Sequence, residues 1–595
     1  MGMTEKPVIE GELETAEVYT TADLIVEYLY HLGVEFVFGV PGGAIEPLYN
    51  ALARSERNGG PRAIVARHES GAAFMADGYA RETGKLGVVC ATTGPGSTNL
   101  ITGVANALAD NIPLLVITAQ TPLPKFGKGA LQDSSCSAID TVGMFRHCTR
   151  FNTLVSHAEQ LESKLISALM ATHRIPKGPV HISVPADILR QDSDSKPHVR
   201  PEALLHDFTL KDKAALDKLN DELGKVDKIV LFLGDGCGTA ADEIMRFAEL
   251  VNAPFATGPM GKRWVDETHP LFRGVFGFAG HKDAQELFKN EEVELVLAIG
   301  ASLGEIGTGG WADSLLNERM IHIDSSVEHF TRSPMAKLHV CGHLKAVFNR
   351  LIDNVQQARN WGRTWNGLVL EDHSDQNPFG GKFVVDNLPA TVSDAVPIKP
   401  QRLFTQLAKV LPDGTRAFFE AGNSWAWGTH YYQRTDSDGS YRIAMGFGSM
   451  GWAIGASIGS ALAKTKHPTV CFTGDGSYLM SGQEITSAAQ QKTPVVFIVL
   501  NDAVLGMVMH GQRMGGAEPI GYALNKINYA AMVEAMGIEG IVVETPQELD
   551  ALDFDRLFAK DSPTLIDVRI DAEEVPPMGS RVKDLAAGES ATPGG

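Results

Sequence analysis

Apolar residues in this chain gather in short, β-branched runs without polar alternation, each followed by a glycine turn and a helix-like stretch. From Leu86 to Gln120 the sequence reads LGVVCATTGPGSTNLITGVANALADNIPLLVITAQ, and from Pro468 to Asp502 it reads PTVCFTGDGSYLMSGQEITSAAQQKTPVVFIVLND. Both stretches run through an apolar segment, a T-G-x-G-S turn, a helix-like segment, a proline and a second apolar segment. Runs that lack alternation fit parallel strands buried on both faces. The middle segment fits the crossover helix of a βαβ unit. A looser third copy, KIVLFLGDGCGTAADEIMRFAELVNAPFATGP, extends from Lys228 to Pro259.

Three such units so far apart predict an α/β protein of three doubly wound parallel-sheet domains. Their expected spans are 17–190, 200–370 and 396–575. The joints are polar stretches, RQDSDSKPHVRPE from Arg190 to Glu202 and EDHSDQNPFGGKF from Glu371 to Phe383. The composition of AAGESATPGG predicts a flexible tail over 576–595.

A formal net charge of -20 over 595 residues argues against nucleic acid or an anionic membrane as the main partner. Six cysteines stand singly, with no C-x-x-C pair, which fits a reducing cytoplasm rather than a zinc or redox site. The first sixteen residues are polar and acidic, so no signal peptide is expected. Lys6 at the sixth position argues against myristoylation, and no apolar run approaches membrane-spanning length.

A glycine turn between strand and helix offers N–H groups to a phosphate, but by itself it equally serves close packing of strand and helix. Asp475 sharpens the choice, because a carboxylate beside bound phosphate demands a cation between them. Asp502 lies 27 positions on, at the end of the next strand. The crossover thus returns a second oxygen ligand to the same edge of the sheet, a donor pair suited to Mg²⁺.

With these residues the segment GDGSYLMSGQEITSAAQQKTPVVFIVLND resembles the thiamine diphosphate motif. The segments VFGVPGGAIEPLYNAL, RHESGAAFMADGYAR, TTGPGSTNLITGVANAL, GFGSMGWAIGASIGSALA and LGMVM are similar to the acetohydroxyacid (acetolactate) synthase branch of that enzyme family. The likeness runs from about Thr20 to Pro576. It implies Asp475, Asp502 and the carbonyl of Val504 as Mg²⁺ ligands, with Asp502 standing where the family more often has Asn. It implies Glu69 as the catalytic carboxylate that drives the coenzyme to its imino tautomer. An ordinary solvated residue at a helix start is the plainer reading of Glu69. Met450 would be the wedge that bends the coenzyme, although a methionine is more often plain core. Gly448 would accept from the aminopyrimidine, and Gly476, Ser477, Gly506 and Met507 would touch the diphosphate. Asn423 and Ser424 replace the family's Gln and His there. Pro95 and Asn99 would face a coenzyme held by a partner chain. The resemblance therefore implies an obligate homodimer, and allows a homotetramer. Gly43 and Gln132 would neighbour the reacting carbon, with Gln132 binding the substrate carboxylate or lying in a surface loop.

The implied activity is decarboxylation of a 2-oxo acid such as pyruvate, with transfer of the acyl carbanion to a second carbonyl acceptor. The alternative is simple decarboxylation to an aldehyde, but PLPKFGKGALQDS lacks the His-His pair of simple decarboxylases. Two departures bear on substrate. His510-Gly511 stands where relatives have a Trp after LGMVMQ, and Leu131 stands where an aromatic ring is usual. Both enlarge the acceptor pocket unless Trp425 or Trp427 refills it. The GDGCG turn of the central domain superficially suits a dinucleotide, the mark of an oxidoreductase. Ser302 and Phe276 in the stretches matching flavin-binding relatives count against bound FAD. A non-catalytic homologue would be expected to lose Glu69 or the metal carboxylates, and both are present.

Overall fold

A computed structural model describes residues 19–193, 196–199, 205, 208–437, 439–463 and 467–578. The amino-terminal stretch read for targeting signals lies outside the described residues. The described chain forms three six-stranded sheets, and every pairing among their strands is parallel.

The first sheet contains β1 (Phe36–Gly39), β2 (Arg62–Val65), β3 (Gly87–Ala91), β4 (Leu114–Gln120), β5 (Phe151–Leu154) and β6 (Val180–Pro185), in the order β2-β1-β3-β4-β6-β5. The central sheet contains β7 (Ile229–Leu233), β8 (Phe255–Thr257), β9 (Phe272–Val275), β10 (Leu295–Ile299), β11 (Met320–Asp324) and β12 (Leu338–Cys341), ordered β12-β11-β10-β7-β8-β9. The third contains β13 (Arg416–Phe419), β14 (Tyr441–Arg442), β15 (Thr469–Gly474), β16 (Val495–Asn501), β17 (Glu539–Val543) and β18 (Thr564–Arg569), ordered β14-β13-β15-β16-β18-β17. The three repeated stretches supply β3 and β4, β7 and β8, and β15 and β16. Strands β4 and β16 are buried at every position, as their unbroken apolar sequence requires.

The connecting segments are not single helices. After β3 the chain forms Pro95–Asn99 and then Ile101–Ala109; after β15 it forms Asp475–Ser481, the short turn Gly482–Glu484, and Ile485–Gln490. Within the span expected for the tail, Met578 is buried, packed with Phe278 and Ala279. Residues 579–595 lie outside the described residues.

Within the chain, the first and third domains meet along two helices, Glu69–Thr83 and Trp452–Leu462. A methyl group at Gly78 would collide with the backbone of Ala456, and one at Gly459 with the carbonyl of Met75. Only glycine permits so close a crossing. Charge is buried beside it. Arg81 pairs with Asp77 at 2.6 Å and with Asp110 at 2.7 Å, while Trp452 Nε1 donates to Asp77 at 2.9 Å. Glu82 pairs with Arg416 and Arg442 of the third domain at 3.0 and 2.9 Å.

Among the described residues no helix is long and apolar enough to cross a membrane. The cysteines are all free.

Candidate active site

Strands β15 and β16 are neighbours, with Gly474 paired to Leu500. Asp475 and Asp502, each one residue beyond its strand, therefore emerge side by side. Asp475 Oδ1 accepts the N–H of Gly476 and its Oδ2 that of Ala503, both at 2.8 Å. Asp502 Oδ1 accepts from Val504 N at 3.2 Å. Burial pushes the Asp475 carboxyl up to about 6. Burial and then the Asp475 charge push Asp502 up to about 7. Two facing, desolvated carboxylates whose proton affinity is raised in this way suit a divalent cation.

Val504 is the third expected donor. Ala503 has a φ of 60°, which turns the chain sharply after Asp502. Val504 faces Ala523 in an isolated antiparallel bridge, whose hydrogen bonds run from Leu505 N to Tyr522 O and from Leu524 N to Ala503 O. The carbonyl of Val504 is not used by that bridge. The residues present thus fit Mg²⁺.

Residues expected at the diphosphate lie beside this point. A Cβ at Gly506 would collide with Asn423 Nδ2 and come 3.4 Å from Asp502 Oδ2, so glycine draws these groups together. Asn423 Oδ1 is buried with no hydrogen-bond partner, a polar atom suited to a ligand. Ser477 is buried at the start of Asp475–Ser481 and Gly476 packs against Leu505. Ser424 Oγ donates to the carbonyl of Glu420. Asn423 Oδ1 is an acceptor for a cation or a ligand donor, while its Nδ2, beside Gly506, is a donor for a diphosphate oxygen.

Two loops of this half-site converge on Glu420, a residue that local sequence reasoning missed. Its fully buried carboxylate accepts from Ala421 N at 2.9 Å and Ala453 N at 3.1 Å. It thereby ties the loop of Asn423 and Ser424 to the helix that follows Gly448 and Met450. Burial pushes this carboxyl up to about 8. Gly448 has a φ of 74°, and Met450 is 38% exposed.

The first domain supplies a second group. Glu69 opens the helix Glu69–Thr83, is buried, and accepts Asn99 Nδ2 on Oε2 at 3.0 Å. Its Oε1 would lie 3.2 Å from a Cβ at Gly96. Pro95 is exposed at the start of the adjoining short helix. Gln132 is exposed with a φ of 56°, against Gly94, and its carbonyl accepts from Thr93 Oγ1 at 3.0 Å. The Gly43 carbonyl accepts from Arg190 at 3.4 Å, and a Cβ there would meet nothing. Among the described residues no hydrogen bond joins the Glu69 group to the Asp475 group.

A second carboxylate absent from the sequence reading supports Glu69. Glu484, of the third domain, accepts from Arg67 N at 3.0 Å and His68 N at 2.9 Å. It holds the entry of the Glu69 helix.

The two departures and the two tryptophans now have places. Gly511, on the helix Gly506–Gly515, has open space where a Cβ would be, and Leu131 is 89% exposed. Trp427 is buried in the core and so does not reach a pocket. Trp425 is half-buried, its ring edge 3.3 Å from where a Cβ would stand on Gly448.

The central glycine turn is closed. Gly236 N donates to Gly300 O at 2.9 Å, and the Trp264 ring lies where a side chain at Gly238 would be. Phe276 is buried in an aromatic group with Phe232 and Phe288, and Phe278 N donates to Ile306 O at 3.0 Å. Ser302 carries no guanidinium, and its carbonyl accepts from Arg332 at 2.8 Å. These residues do not fit a flavin dinucleotide laid along the turn.

Family models match in three blocks: the thiamine pyrophosphate enzyme N-terminal TPP binding domain over residues 19–141, the central domain over 216–351, and the C-terminal TPP binding domain over 420–568. The acetolactate synthase isozyme 2 large subunit of Escherichia coli is 30% identical over 576 residues, covering 95% of this chain and 99% of that protein. A putative acetolactate synthase large subunit of Mycobacterium tuberculosis is 30% identical over 563 residues, with 93% and 98% covered. A probable acetolactate synthase large subunit of Methanococcus aeolicus is 28% identical over 589 residues, with 95% and 94% covered. With three matching blocks in order and full-length likeness to these proteins, the chain belongs to the thiamine pyrophosphate enzyme family, in the branch of the acetolactate synthase large subunits.

Proposed function

We propose that the chain is a thiamine diphosphate- and Mg²⁺-dependent carboligase of the acetolactate synthase type. It decarboxylates a 2-oxo acid such as pyruvate and transfers the acyl group to a second carbonyl. The observation that carries this reading is the pair of carboxylates at adjacent strand ends, Asp475 buried and Asp502 half-buried, beside the unpartnered Oδ1 of Asn423.

When bound, the coenzyme supplies the carbanion that attacks the keto carbon and the electron sink that lets CO₂ leave. The chain's own residues prepare for this. Asp475, Asp502 and the Val504 carbonyl would hold Mg²⁺ against the diphosphate, with Asn423, Ser424, Gly476, Ser477, Gly506 and Met507 around it. Asn99 occupies Glu69 Oε2, which leaves Oε1 to hold the proton exchanged with the pyrimidine ring. Gly448 and Met450 would orient that ring, Gln132 would hold the substrate carboxylate, and Gly43 would leave room above the reacting carbon.

Two chains would be needed. Among the described residues no hydrogen bond links Glu69 to Asp475 within one chain, and large apolar side chains flank the third-domain half: Phe447, Met450, Leu479 and Met480 are all exposed. A partner's first domain covering them would bring in its Glu69 and exclude water, so we take the working unit to be a homodimer or a pair of homodimers. The closed central turn supports a flavin-free enzyme, and the six free cysteines support a cytoplasmic setting.

The test is direct. Purified protein with thiamine diphosphate and Mg²⁺ should release CO₂ from a 2-oxo acid and form a new carbon–carbon bond, seen by mass spectrometry. Aldehyde as the only product would move the assignment to simple decarboxylation. No CO₂ release from any of a panel of 2-oxo acids, with coenzyme bound, would overturn the reading.

A further inference from the structure

Where the central and third domains meet beside the coenzyme residues, the chain builds an apolar wall. Phe278, Ala279, Ala426 and Met578 are buried together, and Ile306, Trp425, Met445 and Met507 pack on them while remaining partly open. Trp425 leads the wall towards the coenzyme: its ring edge abuts Gly448, and Nε1 is pinned to Phe419 O at 3.0 Å. Met507 approaches from the start of the helix Gly506–Gly515.

The wall is built as one piece. Trp425 and His430 share the helix Asn423–Tyr431. His430 Nε2 accepts from Asp386 N at 3.0 Å, which leaves Nδ1 to donate to the Ala279 carbonyl at 3.2 Å. Ala279 has a φ of 52°, so its loop is held in a conformation that alanine seldom adopts. That loop carries Phe278. The helix that presents Trp425 therefore also clamps the aromatic ring behind it.

None of these wall side chains bears a charge or a strong hydrogen-bond donor free to face a ligand. A carboxylate pressed against them would lose its hydration without compensation, which is strongly unfavourable. The donor's one carboxylate leaves as CO₂. A second 2-oxo acid would bring another with no partner on this wall.

Resting on the carboligase reading above, we propose that Trp425 and its wall select a neutral, apolar aldehyde as acceptor in place of a second 2-oxo acid. The reaction would be R–CO–COO⁻ + H⁺ + R′–CHO → R–CO–CH(OH)–R′ + CO₂. The donor's C–COO⁻ bond breaks, a bond forms between its keto carbon and the aldehyde carbon, and the new hydroxyl takes the proton.

The experiment offers benzaldehyde and glyoxylate as competing acceptors to the holoenzyme, with a 2-oxo acid donor, and scores all products, including donor self-condensation. The expected result is at least a tenfold excess of the benzaldehyde-derived hydroxyketone. Trp425→Arg, which places a cation on the wall, should shift the kcat/KM ratio at least tenfold towards glyoxylate. Trp425→Phe, which keeps the wall apolar, should preserve the wild-type order and serves as the folded control. Coenzyme binding with predominant glyoxylate or self-condensation product, or a ratio unmoved by Trp425→Arg, would overturn the wall. Loss of coenzyme binding by the wild-type protein in calorimetry would instead overturn the carboligase reading beneath it.

Discussion

Glu484 of the third domain accepts the backbone N–H of His68 at 2.9 Å, so the residue preceding Glu69 is held by a carboxylate more than four hundred positions away. The same carboxylate accepts from Arg67 N and from Ser487 Oγ at 3.0 Å. Truncation by Glu484→Ala would leave two part-buried backbone donors without their carboxylate partner, at up to about 1–3 kcal/mol each. The expected outcome is a protein destabilised by about 2–4 kcal/mol, with impaired turnover and near-normal coenzyme affinity, since the diphosphate residues are untouched. Urea unfolding and calorimetry check both parts, and unchanged stability would remove the capping role.

Glu69→Gln addresses the proton. It retains the bond from Asn99 in altered form but cannot hold a negative charge. Exchange of the coenzyme C2 proton, followed by NMR after acid quench, should slow by orders of magnitude while coenzyme binding changes little. Exchange at the wild-type rate would dismiss Glu69 as the catalytic carboxylate.

Asp475→Ala should weaken metal and coenzyme binding together, because one of two cation-facing carboxylates is gone. Coenzyme affinity equal to wild type at limiting Mg²⁺ would be inconsistent with the site.

The sequence made much of this half-site legible and little of its support. Asp475 and Asp502 could be brought together from spacing because a right-handed crossover between adjacent parallel strands has few geometric solutions. Glu484 and Glu420 could not, since their partners are backbone N–H groups fixed only by tertiary packing. Trp425 and Trp427 were equivalent on paper. Two residues apart on a helix they point to nearly opposite faces, and only the packing decides that Trp427 enters the core. Phe278 and Trp425 meet across a domain junction that no local pattern encodes.

Acid should loosen the protein. His181 is fully buried, hydrogen-bonded to Thr118 and Asn152, and burial lowers it to about 3. Burial likewise lowers His322 to about 4, and lowers His281 and His430, which stack at 4.4 Å near Lys262 and Asp386. Their folded forms refuse a proton that the unfolded chain accepts near 6.5. Their contribution is therefore complete above that pH and is lost as pH falls below it, at about 1.4 kcal/mol per pH unit for each histidine. Urea midpoints measured between pH 7 and 5 should fall, and His181→Gln should reduce the slope by about one proton. An identical slope in the variant would refute its share.

The acceptor pocket offers a size test. Gly511→Trp should fill the space open at that position, lowering kcat/KM for a bulky acceptor steeply while a small one survives. Leu131→Phe should act in the same sense more weakly. If neither changes the ratio between acceptors, the widened pocket is wrong, and Trp425 alone shapes the site.

The glycine-lined crossing of Glu69–Thr83 with Trp452–Leu462 carries a consequence for the assembly. In a homodimer whose centres are shared, each chain would lend Glu69 to one centre and Asp475 to the other. Since Gly78 and Gly459 lock those two contributions backbone to backbone, neither could adjust alone. Any shift that tightened one centre would be felt at the other as a displacement of its opposite half, so the two centres would work as ends of one rigid beam.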